Sequence, residues 1–114
     1  MAKRRVFSID VVESMEFLNL SKEAQLLYFF LMLHTDDEGV IINHEVVVKI
    51  TDSSLKALEE LTESGMLIKV DKVYIIRHWH KQNKIAPSKI TPSLYQAEIS
   101  KLSVNQLKEY VLSK

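Results

Sequence analysis

Apolar positions along this chain follow two spacings, helical over its first half and short alternating runs after it. The series Ala24, Leu27, Tyr28, Leu31 recurs at i, i+3, i+4, i+7, which predicts an amphipathic helix ending near His34. Ser21 stands before it as an N-cap, and Glu23 lies in the first turn, where negative charge favours the positive helix end. Leu26, Phe29, Phe30, Met32 and Leu33 widen the apolar face almost to the full circumference, so this helix is expected to be central and buried. Upstream, Val6, Phe7, Ile9, Val11 and Val12, then Phe17, Leu18 and Leu20, predict an extended or partly helical lead-in.

After the central helix, Asp36-Asp37-Glu38-Gly39 reads as a turn, with Gly39 free to take a positive φ. Val40-Ile41-Ile42 follows as a short strand. Asn43 caps a second helix reaching Ile50, with Val46, Val47 and Ile50 inward. Its β-branched content would equally allow a strand. Asp52 or Ser53 caps a third helix carrying Leu55, Leu58 and Leu61, and Gly65 ends it as a C′ glycine. Leu67 to Val70 and Val73 to Ile76 form a hairpin closed at Asp71-Lys72.

Beyond Trp79 the chain turns polar and holds both prolines. Thr91-Pro92 predicts a helix start, and Ser103-Val104-Asn105-Gln106 a capping box leading into Leu107 and Val111. The expected fold is therefore α+β and mainly helical: a winged helix-turn-helix with a small three-stranded antiparallel sheet and a C-terminal helical extension. Residues 1–80 would form the winged-helix domain with its lead-in. Residues 81–114 would pack on it or lead to a further domain.

Composition narrows the class. At 114 residues, with 46% hydrophobic and 26% charged positions, the chain has the balance of a globular domain rather than a disordered segment. The absence of cysteine excludes disulfides, thiolate metal sites and a Cys nucleophile. The longest apolar run, Leu26 to Leu33, falls far short of the ~18 residues of a membrane span. Asp10 and Glu13 fall where a signal peptide would be apolar, so a cytoplasmic location is expected. The formal net charge of zero conceals segregation: residues 9–64 carry a net −9, residues 65–89 a net +5, and residues 1–8 a net +3. Such a pattern bears on partners rather than on fold.

No motif supports catalysis. Two glycines cannot build a phosphate loop, and no serine is spaced with a histidine as nucleophile and base. His78 and His80 flank Trp79 on an expected strand, but His34, His44 and the carboxylates give no ligand-spaced completion of a zinc site. Asp36-Asp37-Glu38 lacks the spacing of a calcium loop and reads as a solvated turn. Neither an enzyme nor a bound metal or cofactor is expected.

Nucleic acid is the partner that the charge points to. The third helix would offer Ser53, Ser54 and Lys56 to phosphate at its N-terminus, although Glu59, Glu60 and Glu63 further along would repel a DNA backbone. Lys69 and Lys72 on the wing, then Arg77, Lys81 and Lys84, suit sequence-tolerant phosphate contacts. Lys3, Arg4 and Arg5 form a possible DNA-binding arm.

Several linked motifs then stand in a familiar order: Arg5-Val6-Phe7-Ser8-Ile9-Asp10, Phe17-Leu18-Asn19-Leu20-Ser21, Ala24-Gln25-Leu26-Leu27-Tyr28-Phe29 and His34-Thr35-Asp36-Asp37-Glu38-Gly39-Val40. Ile76-Arg77-His78-Trp79, Asn83 and Thr91-Pro92-Ser93-Leu94-Tyr95 continue it. Over roughly residues 1–98 the chain resembles the N-terminal region of phage replisome organisers, replication-initiation proteins related to the bacterial DnaD type. The resemblance implies a winged-helix domain that self-assembles, contacts DNA and helps bring in a replicative helicase or its loader. Lys84-Ile85-Ala86-Pro87-Ser88-Lys89 departs from the more basic and aromatic family pattern, which shifts weight toward oligomerisation or partner docking. The expected function is thus a replication-initiation domain that binds DNA weakly, assembles with its own kind, or both. The alternatives are an oligomerisation or adaptor module without DNA binding, and a winged-helix transcription regulator.

Overall fold

The computed structural model describes residues 5–113, and over them the chain is α+β and dominated by helix. The lead-in forms two single-turn helices, α1 (Ile9–Val12) and α2 (Met15–Leu18). Each is started by a serine: Ser8 Oγ accepts from Asp10 N and Ser14 Oγ from Phe17 N. They turn Val11 and Phe17 onto the central helix α3 (Lys22–Leu33), which Ser21 caps at Ala24 N. Its inner face, Ala24, Leu27, Tyr28, Leu31 and Met32, is fully buried as the spacing predicts.

Segment 44–50 is the helix α4 (His44–Ile50), despite its β-branched residues. Only Val47 of its expected inward set is buried; Val46 and Ile50 remain about half exposed, at 51% and 53%. Asn43 makes no side-chain cap and instead takes a left-handed turn, φ 54°. The next helix, α5 (Leu55–Glu63), is capped by Ser54 rather than by Asp52 or Ser53. Asp52 is held at φ 52°, and the Ser53 hydroxyl bonds Thr51. Gly65 at φ 86° ends α5: its N–H bonds Thr62 O while Met66 N–H bonds Leu61 O, the paired pattern of a Schellman turn.

Strand β1 (Leu67–Val70) then pairs antiparallel with β2 (Val73–Ile76), Leu67 opposite Ile76. The expected third strand is not formed. Val40 makes a single bridge to Ile75, with Ile41 N–H on Tyr74 O and Ile76 N–H on Gly39 O. Left-handed residues at Gly39 and Asn43 bracket this segment, and Val40 N–H bonds Asp36 Oδ1. Too little extended backbone is left for a ladder.

The helical extension is likewise replaced. After a helical turn, α6 (Trp79–Gln82), come a 3-10 turn at Pro87–Lys89, one turn of helix α7 (Gln96–Ile99), and a second hairpin. In it β3 (Leu102–Val104) pairs antiparallel with β4 (Tyr110–Leu112). No helix starts at Thr91-Pro92, because Thr91 N–H bonds Asp37 Oδ2 and Ser93 N–H bonds Glu38 Oε2. The capping-box reading fails because Asn105 uses its side chain differently. Its Oδ1 accepts from Leu107 N and Glu109 N, which folds 105–109 into a turn and makes Ser103 a strand residue.

The acidic turn is the largest departure from expectation. Asp37 is only 7% exposed and forms an ion pair with Arg5 at 3.2 Å. The Arg5 guanidinium also donates to Thr35 Oγ1 and Thr35 O, and lies 5.1 Å from the ring of Trp79. Trp79 Nε1 donates to Asp37 O, and the ring packs so closely on Gly39 that a Cβ there would fall 2.7 Å from Trp79 Cγ. Glu38 holds the tail, taking N–H groups from Ser93 and Gln96 through its carboxylate and the Tyr110 hydroxyl through its carbonyl. Asn83 bonds Val6 N and Gln82 bonds both Ser8 N and the Tyr28 hydroxyl, strapping residues 5–8 to α6. Burial pushes the Tyr28 hydroxyl up to about 12, partly offset by that Gln82 bond.

Asp37→Asn removes the charge that Arg5 needs and leaves a guanidinium buried without a counter-ion. The expected loss is about 3–5 kcal/mol of folding stability, measured by urea unfolding. A loss below about 1 kcal/mol would show that the pair is not a keystone.

Candidate nucleic-acid interface

The N-terminus of α5 is already occupied. Glu23 Oε2 accepts from Ser54 Oγ at 2.7 Å and from Ser54 N at 3.2 Å. These bonds, the hydroxyl first and the amide second, hold the Glu23 carboxyl below its ordinary range. Glu60 does the same for α3, accepting from Ser21 N at 2.6 Å and Ser21 Oγ at 2.8 Å. Two helix starts are thus bridged by each other's glutamates, where a phosphate would otherwise find exposed N–H groups. Ser53 turns to Thr51, and Lys56 shares a shallow depression with Glu59, Glu60 and Glu63. The two serines of the expected helix-start interface are therefore engaged internally, while Lys56 is exposed and has no ion pair among the described residues.

Of the expected arm, Lys3 and Arg4 lie outside the described residues. Arg5 lies inward, its side chain 3% exposed against Asp37 and Trp79, so it has no charge to offer a backbone phosphate. Lys69 and Lys72 are exposed near the tip of the first hairpin, and neither is ion-paired among the described residues. Lys69 Nζ rests over the ring of Tyr74, its cross-strand neighbour, at 5.5 Å. Lys84 is exposed on the rim of a cleft of about 360 Å³, with Lys108 and the apolar Ile85, Ile90 and Val104.

Arg77 and Lys81 come together, but around a carboxylate. Arg77 Nη2 lies 3.3 Å from Glu109 Oε1, while His78 Nε2 and Lys81 Nζ lie 3.4 Å and 3.7 Å from Glu109 Oε2. Burial pushes the Glu109 carboxyl up, but His78, Arg77 and Lys81 together outweigh it and hold it below its ordinary range. His78 is pushed down chiefly by burial, with Glu109 and Glu16 working against that and Arg77 and Lys81 with it. The strand-face pairing of the two histidines does not hold. His78 precedes a helical turn, and His80 points elsewhere, edge-on to the Tyr110 ring at 4.9 Å. Nothing in the sequence marked Glu109 as a partner, since it is 28 or more residues from each of these side chains and sits on a misread hairpin.

The other exposed feature is apolar. Leu26, Phe30 and Leu33 recur at i, i+4, i+7 on the outer side of α3, with Phe29 beside them. Leu26 and Leu33 are 48% and 50% exposed, and Phe29 and Phe30 are half-buried. Among the described residues no helix is long and apolar enough to cross a membrane. Comparison with family models, with curated proteins and with solved structures finds no match to this chain.

The histidines set an acid limit on stability. His78 and His80 are both held below their ordinary 6.5, burial being the first cause in each. As pH falls through 6.5 the unfolded chain takes up protons that the folded one refuses, so stability declines toward acid. Glu109 works at lower pH: its contribution, complete above 4.5, is lost only as pH falls through its depressed folded value. The unfolding midpoint is expected to fall between about pH 7 and about pH 5, and less steeply in His78→Gln. A midpoint constant over that range contradicts the burial of both imidazoles.

Proposed function

We propose that this chain is a self-assembling domain of a replication-initiation protein of the replisome-organiser type, without a catalytic step of its own. One observation carries the assembly reading: the central helix of the fold turns Leu26 and Leu33 outward, about half exposed, on either side of the half-buried Phe30, and among the described residues nothing covers the two leucines. A contiguous apolar face of this kind on a small domain is the usual mark of a protein interface. The replication context rests on the linked motifs of residues 1–98, and the helicase or its loader belongs to that context.

The element order also supports reading α4, α5 and the first hairpin as a winged helix, with Val40 as the remnant of its third strand. In this reading α5 does not enter the major groove, because Glu59 and Glu63 lie exposed along it and Glu23 holds its start. The same feature disfavours an operator-reading transcription regulator. DNA contact is then a secondary, sequence-tolerant function of the exposed hairpin lysines, Lys69 and Lys72, with Lys84 further along.

Sedimentation equilibrium tests assembly. The chain is expected to form dimers or larger species at micromolar concentration, and Leu26→Asp with Leu33→Asp to yield a folded monomer. A wild-type chain that stays monomeric at every concentration would refute the reading. For DNA, anisotropy titrations with random duplex are expected to weaken on Lys69→Glu with Lys72→Glu, equally for all sequences. The slope of log affinity against log salt should fall by about 2. Unchanged binding after this reversal removes the hairpin from the interface.

A further inference from the structure

Arg77, Lys81 and the His78 imidazole meet Glu109, and none of the contacts is short. At 3.3, 3.4 and 3.7 Å they exceed the roughly 2.7–2.9 Å of a well-made charge-assisted bond. In the same cluster Arg77 Nε and His78 Nδ1 are buried without a hydrogen-bond partner among the described residues. Arginine Nε always carries its proton, so at least one donor is left unmet. A planar carboxylate with two oxygens undersupplies this group of nitrogens. A tetrahedral oxyanion, with more acceptors around one centre, matches it better.

The surroundings leave room for one. Beside the cluster is a cleft of about 370 Å³ that Ser14, Ser64 and Gly65 help to line. Gly65 is bare there of necessity, since a Cβ would fall 2.9 Å from Arg77 Nη1. Asp10 and Glu16 also line the cleft and oppose a highly charged ligand, which favours a single phosphate over a polyphosphate. Glu109 itself is carried by the turn of the C-terminal hairpin, which joins this region through Tyr110 N–H on Arg77 O. Its carboxylate can therefore leave by a local rearrangement of residues 105–109, without unpacking α3.

We infer that Glu109 occupies a phosphate site: Arg77, His78 and Lys81 bind a phosphate group in competition with the Glu109 carboxylate. The site lies at the other end of β2 from the Asp71-Lys72 turn, and it does not depend on self-assembly or on DNA contacts at the hairpin tip. The phosphate belongs either to a small free phosphate or to a nucleic-acid backbone.

Nitrogen-15 NMR of the Arg77 Nε–H and the His78 ring, with sodium phosphate titrated against sodium chloride at matched ionic strength, tests it on the full chain. A saturable response to phosphate alone is expected, at least about tenfold tighter in Glu109→Gln than in wild type. Adding Lys81→Gln to that variant should reverse the gain. Equal affinity in the two chains, the same response to chloride, or a gain that survives Lys81→Gln overturns the inference. Should Glu109→Gln fail to fold, Lys81→Gln alone must weaken phosphate binding severalfold. A wild-type chain whose Arg77 and His78 signals ignore millimolar phosphate also overturns it. A parallel titration with a short duplex identifies the source: tighter duplex binding by Glu109→Gln assigns the site to backbone phosphate, and tighter binding of free phosphate alone assigns it to a small ligand.

Discussion

The buried ion pair between Arg5 and Asp37, beside Trp79, is the constraint on which the arrangement of the chain depends. Arg5 brings in the N-terminal strap, Asp37 the turn after α3, Trp79 the start of α6, and Thr91 N–H, on the second Asp37 oxygen, the tail. A buried pair of this kind adds little net stability over a well-packed apolar replacement, because both ions lose their water. What it supplies is a single solution to the packing. The guanidinium donates to Thr35 and Asp37 while its carbon lies over the indole, 5.1 Å from the ring centroid, and a lysine ammonium offers no such planar fork of donors. Gly39 completes the arrangement by keeping the backbone against Trp79, where any side chain would collide.

From this follows how much of the molecule was legible in its sequence. Elements defined by neighbours three or four residues apart were read correctly: the face of α3, the Leu58–Leu61 side of α5, the Gly65 stop and the first hairpin. Elements decided by distant partners were not. The acidic turn read as solvated because nothing local shows that Arg5 lies across from Asp37. Thr91-Pro92 has the local chemistry of a helix start, yet the backbone N–H groups there are drawn to Asp37 and Glu38. At Asn105 two local signals competed, and the side chain closing a turn prevailed over the capping box, with β3–β4 pairing to support it.

The candidate interface was least legible, for an electrostatic reason. Charge that is segregated along the sequence is recombined in part in space: Arg5 meets Asp37, Asp71 meets Lys101, and Glu109 draws on Arg77, His78 and Lys81. A count of bases over residues 65–89 therefore overstates the positive potential available to a nucleic acid, because some of those charges have internal counter-ions. Only long-range pairing, invisible in a window of residues, separates a cation that is engaged from one that is available.

This recombination also bears on why the apolar face of α3 deserves more weight than the charge. Exposed lysines cost a domain little and are commonplace on surfaces, whereas two half-exposed leucines bracketing a phenylalanine on one helix face leave apolar area in water at roughly 25 cal/mol for each Å². The inner face of the same helix cannot relieve this by rotating, since Tyr28 is tied to Gln82, and Phe17 and Phe7 pack edge-on around Tyr28 and Phe29. The register of α3 is thus fixed by its buried side. Among the described residues its outer side gains further burial only from something brought to it, and that is why the proposed self-association rests on this face rather than on charge.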